Sequence, residues 1–311
     1  MTAAPPETSP HLPPPLLEEV ADRVFAYVQP PGGWCLNNAG LVVGDGATVL
    51  VDTAATEYRA RALRAAVQRH VPDGPEYVVN THFHGDHIFG NSLFLPHATV
   101  VAHERTRADA AAAGLGLCGL WPDVDWGTVV PALPTLTFRD GLTLRVGGLS
   151  VELLRIGPAH TAGDVVAWVP QRRVLFTGDL VWSNVTPYIL MGSVEGSLRA
   201  LAELRSLGAT TVVPGHGAPG GPELFDRTEE YLRWLRDLAV RGAAEGLSPL
   251  QVARGADLGA FAKLLDSERL VGNLHRAHAE LEGLPPGEPL DVVASFREMV
   301  DFHGGLPACH A

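Results

Sequence analysis

Thr81-His82-Phe83-His84-Gly85-Asp86-His87 gathers four nitrogen and oxygen donors within six residues. The run follows Tyr77–Asn80, an apolar stretch that reads as a strand. In an extended segment His82 and His84 point to the same side, because side chains alternate. Gly85 lets the chain turn, and Asp86 and His87 fall on the next turn, read as the start of a helix. Four donors so close together cannot all reach one ion, but they can serve two adjacent ones. Imidazole and carboxylate are donors that zinc takes at roughly 2.0–2.2 Å. Iron and manganese accept the same set. A solvated loop has no reason to collect such side chains, so the run reads as a metal site.

Working outward, three more donors share one grammar: an apolar strand, a tight turn of small residues, then the donor. Val151–Ile156 leads to His160, Val174–Phe176 to Asp179, and Thr211–Val213 to His216. Strand ends are where α/β architectures collect their chemistry. Val49–Val51 ends the same way in Asp52, which reads as a residue that orients a metal ligand from behind. The other histidines (His11, His70, His97, His103, His275, His278, His303 and His310) read as packing or surface residues. His275 and His278 share a helix face with no carboxylate pattern behind them.

The chain has 311 residues, 23 basic and 35 acidic, for a net charge of −12, and 46% of it is hydrophobic. That supplies a core and excludes wholesale disorder. The acidic balance argues against a nucleic-acid binder and against adsorption to anionic lipid. Cys35, Cys118 and Cys309 form neither a disulfide framework nor a cysteine-type zinc cluster. Cys35 and Cys118 read as packed residues rather than nucleophiles. No secretion signal and no membrane-spanning run is legible, so a cytoplasmic protein is expected.

The Pro-rich residues 1–17 read as a disordered tail, 18–243 as the catalytic domain, and 244–311 as a helical C-terminal extension. Val24–Val28 reads as the first strand. A hairpin follows across Gly44-Asp45-Gly46, then a helix from Thr56 to Val71. Gly114–Pro131 reads as a long loop carrying Trp121 and Trp126. Pro222 opens a long helix. Strand signals end near residue 244, and Ser248-Pro249-Leu250-Gln251 reads as a capping box that starts a helix.

These motifs, in this order, resemble the metallo-β-lactamase fold superfamily from about Val24 to Leu238. The resemblance implies an α/β fold, an αββα sandwich with its site along one edge of the two sheets, here with a C-terminal helical appendage. It implies two zinc ions. His82, His84 and His160 would hold one, Asp86, His87 and His216 the other, and Asp179 would bridge them. Asp86 would also orient the attacking hydroxide, which makes it the catalytic candidate. The commonest true zinc β-lactamases carry cysteine where this chain has Asp179, so the resemblance points instead to the dinuclear hydrolases, glyoxalase II-like thioesterases among them.

Three further stretches, Pro31–Gly40, Gly119–Gly127 and Ala260–His278, resemble the cyclase/thioesterases of bacterial aromatic polyketide pathways, of the actinorhodin type. That resemblance implies a substrate tethered to acyl carrier protein through a phosphopantetheine thioester, hydrolysis of the thioester, and aldol-type closure of a later ring. A flat, partly cyclised polyketide needs an apolar slot, and Trp34, Phe83, Trp121, Trp126 and Tyr188 are the candidates to line it. Arg59, Arg61 and Arg64, or Arg233 and Arg236, are candidates to meet an acidic carrier protein, or else solvated helix faces. The alternatives are a general metallohydrolase of small thioesters or esters and a non-catalytic scaffold. The complete donor set weakens the last.

Overall fold

The computed structural model describes residues 12–311. Residues 1–11 of the expected tail lie outside them, and its last two residues, Leu16 and Leu17, already belong to a strand. The first sheet runs β1 (Leu16–Ala21), β2 (Val24–Val28), β3 (Ala39–Val43), β4 (Thr48–Val51), β5 (Tyr77–Val79), β6 (Thr99–His103) and β7 (Leu136–Phe138), adjacent in that order. Val24–Val28 is therefore the second strand, not the first. The sequence hid β1 because this edge strand, with Glu18 and Glu19 exposed, is defined by its antiparallel pairing with β2 rather than by an apolar run.

β1 to β4 pair antiparallel, while β4 to β7 pair parallel. The second sheet holds β8 (Gly141–Val146), β9 (Leu149–Arg155), β10 (Val165–Val169), β11 (Val174–Phe176) and β12 (Thr211–Val213), in the order β12-β11-β10-β9-β8. Only its β11–β12 pair is parallel.

Alternation within the strands builds the layers. Val49 and Val51 of β4 enter a core shared with Val165, Ala167 and Val169 of β10. Leu50, one residue out of phase, packs with Leu63 and Val67 of α1 (Glu57–Gln68). On the far side Val166 and Trp168 join the helices. Both faces of each central strand are covered, so the strands read as unbroken apolar runs. Cutting the fully buried Leu50 to alanine would cost about 2–5 kcal/mol.

The remaining helices are α2 (Gly85–Ile88), α3 (Glu104–Ala113), α4 (Val194–Ser206), α5 (Glu223–Ala244), α6 (Pro249–Gly255), α7 (Arg269–Leu281) and α8 (Val292–His303). Thr56 caps α1, and the Ser248/Gln251 capping box opens α6, as the sequence predicts. The helices after residue 244 pack on one another and on α5, with Leu270, Val271 and Leu274 of α7 buried in the same core as Leu232 and Leu235 of α5. No helix of the described residues is long and apolar enough to cross a membrane.

Candidate metal centre

Five strands deliver the donors to one edge of the sandwich. Asp52 follows β4, His82 follows β5, His160 follows β9, Asp179 follows β11 and His216 follows β12. His84 caps α2, whose first turn carries Asp86 and His87. The turn geometries are tight: a Cβ on Gly215 would land on Asp179 Oδ1, so only glycine fits beside that carboxylate.

Two groups of donors result, His82, His84, His160 and Asp179 in one and Asp86, His87 and His216 in the other, each with its donor atoms within 4.8 Å. His84 Nδ1 and His160 Nε2 stand 2.9 Å apart. Asp179 reaches both groups. Its Oδ1 is 3.1 Å from His87 Nε2, and its Oδ2 is 3.5 Å from His160 Nε2 and 3.4 Å from His216 Nε2. Asp86 Oδ2 lies 3.4 Å from His216 Nε2. Donors on a tetrahedral zinc with bonds of roughly 2.1 Å sit about 3.4 Å from one another, and these spacings scatter around that value.

The polar bookkeeping points the same way. His82 Nε2, His87 Nε2 and Asp179 Oδ1 are buried with no hydrogen-bond partner among the described residues. Orphaned atoms of this kind are costly unless something else satisfies them, and these three face one another inside the donor groups. The residues therefore fit a pair of metal ions.

Behind the donors, Asp52 accepts from the Thr81 backbone N–H at 2.8 Å and from Thr81 Oγ1 at 2.7 Å, and its Oδ2 stands 2.8 Å from His87 Nδ1. It is thus placed to orient His87. Thr81 Oγ1 is in turn 3.0 Å from His82 Nδ1. The Gly32 carbonyl faces His216 Nδ1 at 3.0 Å, and the Tyr188 carbonyl takes His160 Nδ1. Gly32 and Tyr188 act here through backbone carbonyls, which leave no side-chain signal in the sequence, whereas Thr81 acts through its hydroxyl and was given no role from the sequence.

Protonation is divided between the groups. Burial pushes His84 down to about 3 and His160 down to about 4, and holds His82 well below its ordinary value. Burial would also lower His87 and His216, but the Asp179 carboxylate, with Asp86, overrides it and raises both. Burial opposes ionisation of Asp86, yet His87 and His216 bring it down to about 2.

A cavity of about 460 Å³ opens onto Asp86, Asp179 and His216. Trp34, Phe83, Trp121 and Tyr188 are among its lining residues. Trp126 does not: its indole N–H donates to the Trp121 carbonyl at 3.1 Å and its ring packs against Phe89, so it backs the wall from outside. The sequence missed a further part of the lining, Leu290, Val292, Val293 and Phe296, contributed by α8 and the loop before it. It also missed Arg269, whose guanidinium lies 4.0 Å over Trp34 and 4.8 Å over Trp182.

Of the five candidate docking arginines, four are engaged, and Arg64 has no hydrogen bond or ion pair among the described residues. Arg59 bonds the His310 carbonyl and Gln29, Arg61 pairs with Glu57, Arg233 with Glu229 and Arg236 with Glu195. His275, read as lacking a carboxylate, has Glu298 at 2.9 Å, a partner 23 residues away that no local pattern reveals.

The profile of the family described as the metallo-beta-lactamase superfamily matches residues 32–216. Among curated proteins, the hydroxyacylglutathione hydrolase of Methylococcus capsulatus is 32% identical over 170 residues, 55% of this chain and 57% of that protein. The linear primary-alkylsulfatase of a Pseudomonas strain is 26% identical over 245 residues, 65% of this chain. The match spans only 46% of the alkylsulfatase's length. Among solved structures, a metallo-beta-lactamase from Pontibacter korlensis aligns with a TM-score of 0.60 at 22% identity, covering 71% of this chain and 99% of that one.

Proposed function

The chain belongs to the metallo-β-lactamase superfamily, and we propose that it is a dinuclear metal-dependent thioesterase/cyclase. In this reading it hydrolyses the thioester of an aromatic polyketide intermediate borne on acyl carrier protein and closes a later ring by aldol chemistry. His82, His84 and His160 would hold one ion, Asp86, His87 and His216 the other, and Asp179 both. Zinc suits these donors. When bound, the metal pair supplies Lewis acidity toward a carbonyl oxygen and an acidified water.

The protein's own groups do the rest. Asp86 faces the cavity and is held ionised, so it can accept a hydrogen bond from the water nucleophile and aim it. Asp179 and Asp52 fix the imidazoles that surround the reacting carbonyl. The aromatic walls exclude bulk water and orient a flat acyl group over the donor edge. A polyketide offers both an enolisable carbon and a ketone within such a slot.

One observation carries the choice of substrate: a largely apolar, aromatic-walled cavity of about 460 Å³ ends on the donor cluster. Sites of this size suit a multi-ring acyl group, since ligand pockets typically span roughly 300–1,000 Å³. A second reading, a general hydrolase of small thioesters, is favoured by the likeness to hydroxyacylglutathione hydrolase. The two separate in one assay. Metal-loaded protein is given an acyl-glutathione and an aromatic acyl thioester of a pantetheine mimic. The polyketide reading requires turnover of the second; fast turnover of the glutathione thioester alone rejects it.

A further inference from the structure

Each of the five imidazoles at the centre turns one ring nitrogen inward and the other toward an outer partner. Four of those partners are oxygens: Thr81 Oγ1 for His82, Asp52 Oδ2 for His87, the Tyr188 carbonyl for His160 and the Gly32 carbonyl for His216. His84 differs. Its Nδ1 faces inward, and its Nε2 lies 3.1 Å from the sulfur of Met191.

Met191 and Tyr188 belong to one short turn, so a single segment backs two imidazoles of the same donor group. That turn is pinned from the C-terminal region. Asn273 Oδ1 accepts from the Ile189 N–H at 2.9 Å, Asn273 Nδ2 donates to the Pro187 carbonyl at 2.7 Å, and Arg276 Nε donates to the Leu190 carbonyl at 2.9 Å. Asn273 and Arg276 are both fully buried.

We infer that Met191 is a positioning residue for His84, accepting the Nε2–H so that Nδ1 is the nitrogen offered to the metal. The inference rests on the reading that these donors bind metal. A thioether is a weak, polarizable acceptor. His84 is also the least buried of the five imidazoles, at the cavity edge. It is thus the imidazole with least other restraint and the softest partner. Outer partners of metal-bound histidines commonly change metal affinity by about 10–100-fold. Met191 also lines the cavity, so the sulfur is shared between the wall that meets substrate and the ligand it orients.

The test is metal binding by the full-length, metal-free chain, measured without substrate. Zn²⁺ affinity is read by competition with a chromophoric chelator, and Co²⁺ titration adds visible ligand-field bands that report the coordination of each ion. Met191→Leu keeps the volume and removes the acceptor. Met191→Gln offers an amide oxygen at similar reach. Met191→Leu should weaken one of the two binding events by about tenfold or more, change its Co²⁺ bands, and leave the other event alone, while Met191→Gln restores both. A Leu variant that titrates like the parent overturns the inference, as does equal weakening of both events or a Gln variant no better than Leu. A parent protein that binds no metal would instead remove the underlying site reading.

Discussion

The indole N–H of Trp34 donates to Glu268 Oε1 at 2.6 Å, joining the loop after β2 to the residue that opens α7. Both groups are buried, and Arg269 lies over the same indole. The Trp34 loop also carries Gly32, whose carbonyl faces the His216 imidazole. Gly32 has a φ of +92° and passes so close to Gly217 that no side chain fits between them. Trp34 therefore links the helical C-terminal region to the metal edge, beside the Asn273 and Arg276 contacts to the segment that backs His160 and His84.

Glu268→Ala strands that indole N–H, while Arg269 keeps its own carboxylate partner, Asp266, at 2.8 Å. Leaving a buried donor without a partner costs about 1–3 kcal/mol, so the urea midpoint of the metal-free protein should fall accordingly. An unchanged midpoint would mean that the contact contributes nothing.

Asp52→Asn preserves the shape of the carboxylate but not its charge or its second acceptor oxygen. Thr81 N–H, Thr81 Oγ1 and His87 all draw on those two oxygens. Metal affinity is expected to drop about 10–100-fold with the circular dichroism spectrum unchanged. Parent-like affinity would show that His87 needs no such partner.

Gly215→Ala pushes a methyl group onto Asp179 Oδ1, the oxygen 3.1 Å from His87 Nε2. The same methyl group meets the backbone of Gly178 and Asp179 at 2.7 and 2.9 Å, so the turn must shift together with the carboxylate that touches both donor groups. Metal stoichiometry should fall below that of the parent, read by elemental mass spectrometry, while the sheets stay intact because the methyl group meets the donor edge and not the inter-sheet core.

Loading metal at neutral pH should release protons. In the metal-free protein burial opposes the charge on His87 and His216, but the facing carboxylates raise His216 above the ordinary histidine value and His87 well above it, so His87 carries a proton near pH 7. A metal ligand must be deprotonated. His84 and His160, pushed down to about 3 and about 4, are already neutral and release nothing. Calorimetric titrations in buffers of differing ionisation enthalpy should therefore show a net transfer of protons to buffer. Enthalpies independent of the buffer would contradict this protonation pattern.

Much of this architecture was legible because its signals are local. Short apolar runs ending in a turn marked each strand that delivers a donor, and the seven donors all sit where a turn releases them from a strand or opens a helix. What stayed hidden is what depends on distant partners. β1 exists because β2 pairs with it, since two glutamates interrupt its own six residues. Trp126 has the composition of a wall residue but spends its N–H on Trp121 and faces away from the cavity. The α8 wall, Arg269 and the Asn273 contacts all come from residues far along the chain, and no spacing within the sequence announces which cavity they will close. Met191 was equally silent, because a lone methionine reads as core filler until its sulfur is found against an imidazole.

The most direct test is a metal count by native mass spectrometry on the full chain, folded and desalted under non-denaturing conditions. Two donor groups sharing Asp179 predict two ions per chain, both lost on chelation and both recovered on adding zinc. A chain that retains full thioesterase turnover with no ion bound, or that never takes up more than one, would contradict a dinuclear centre.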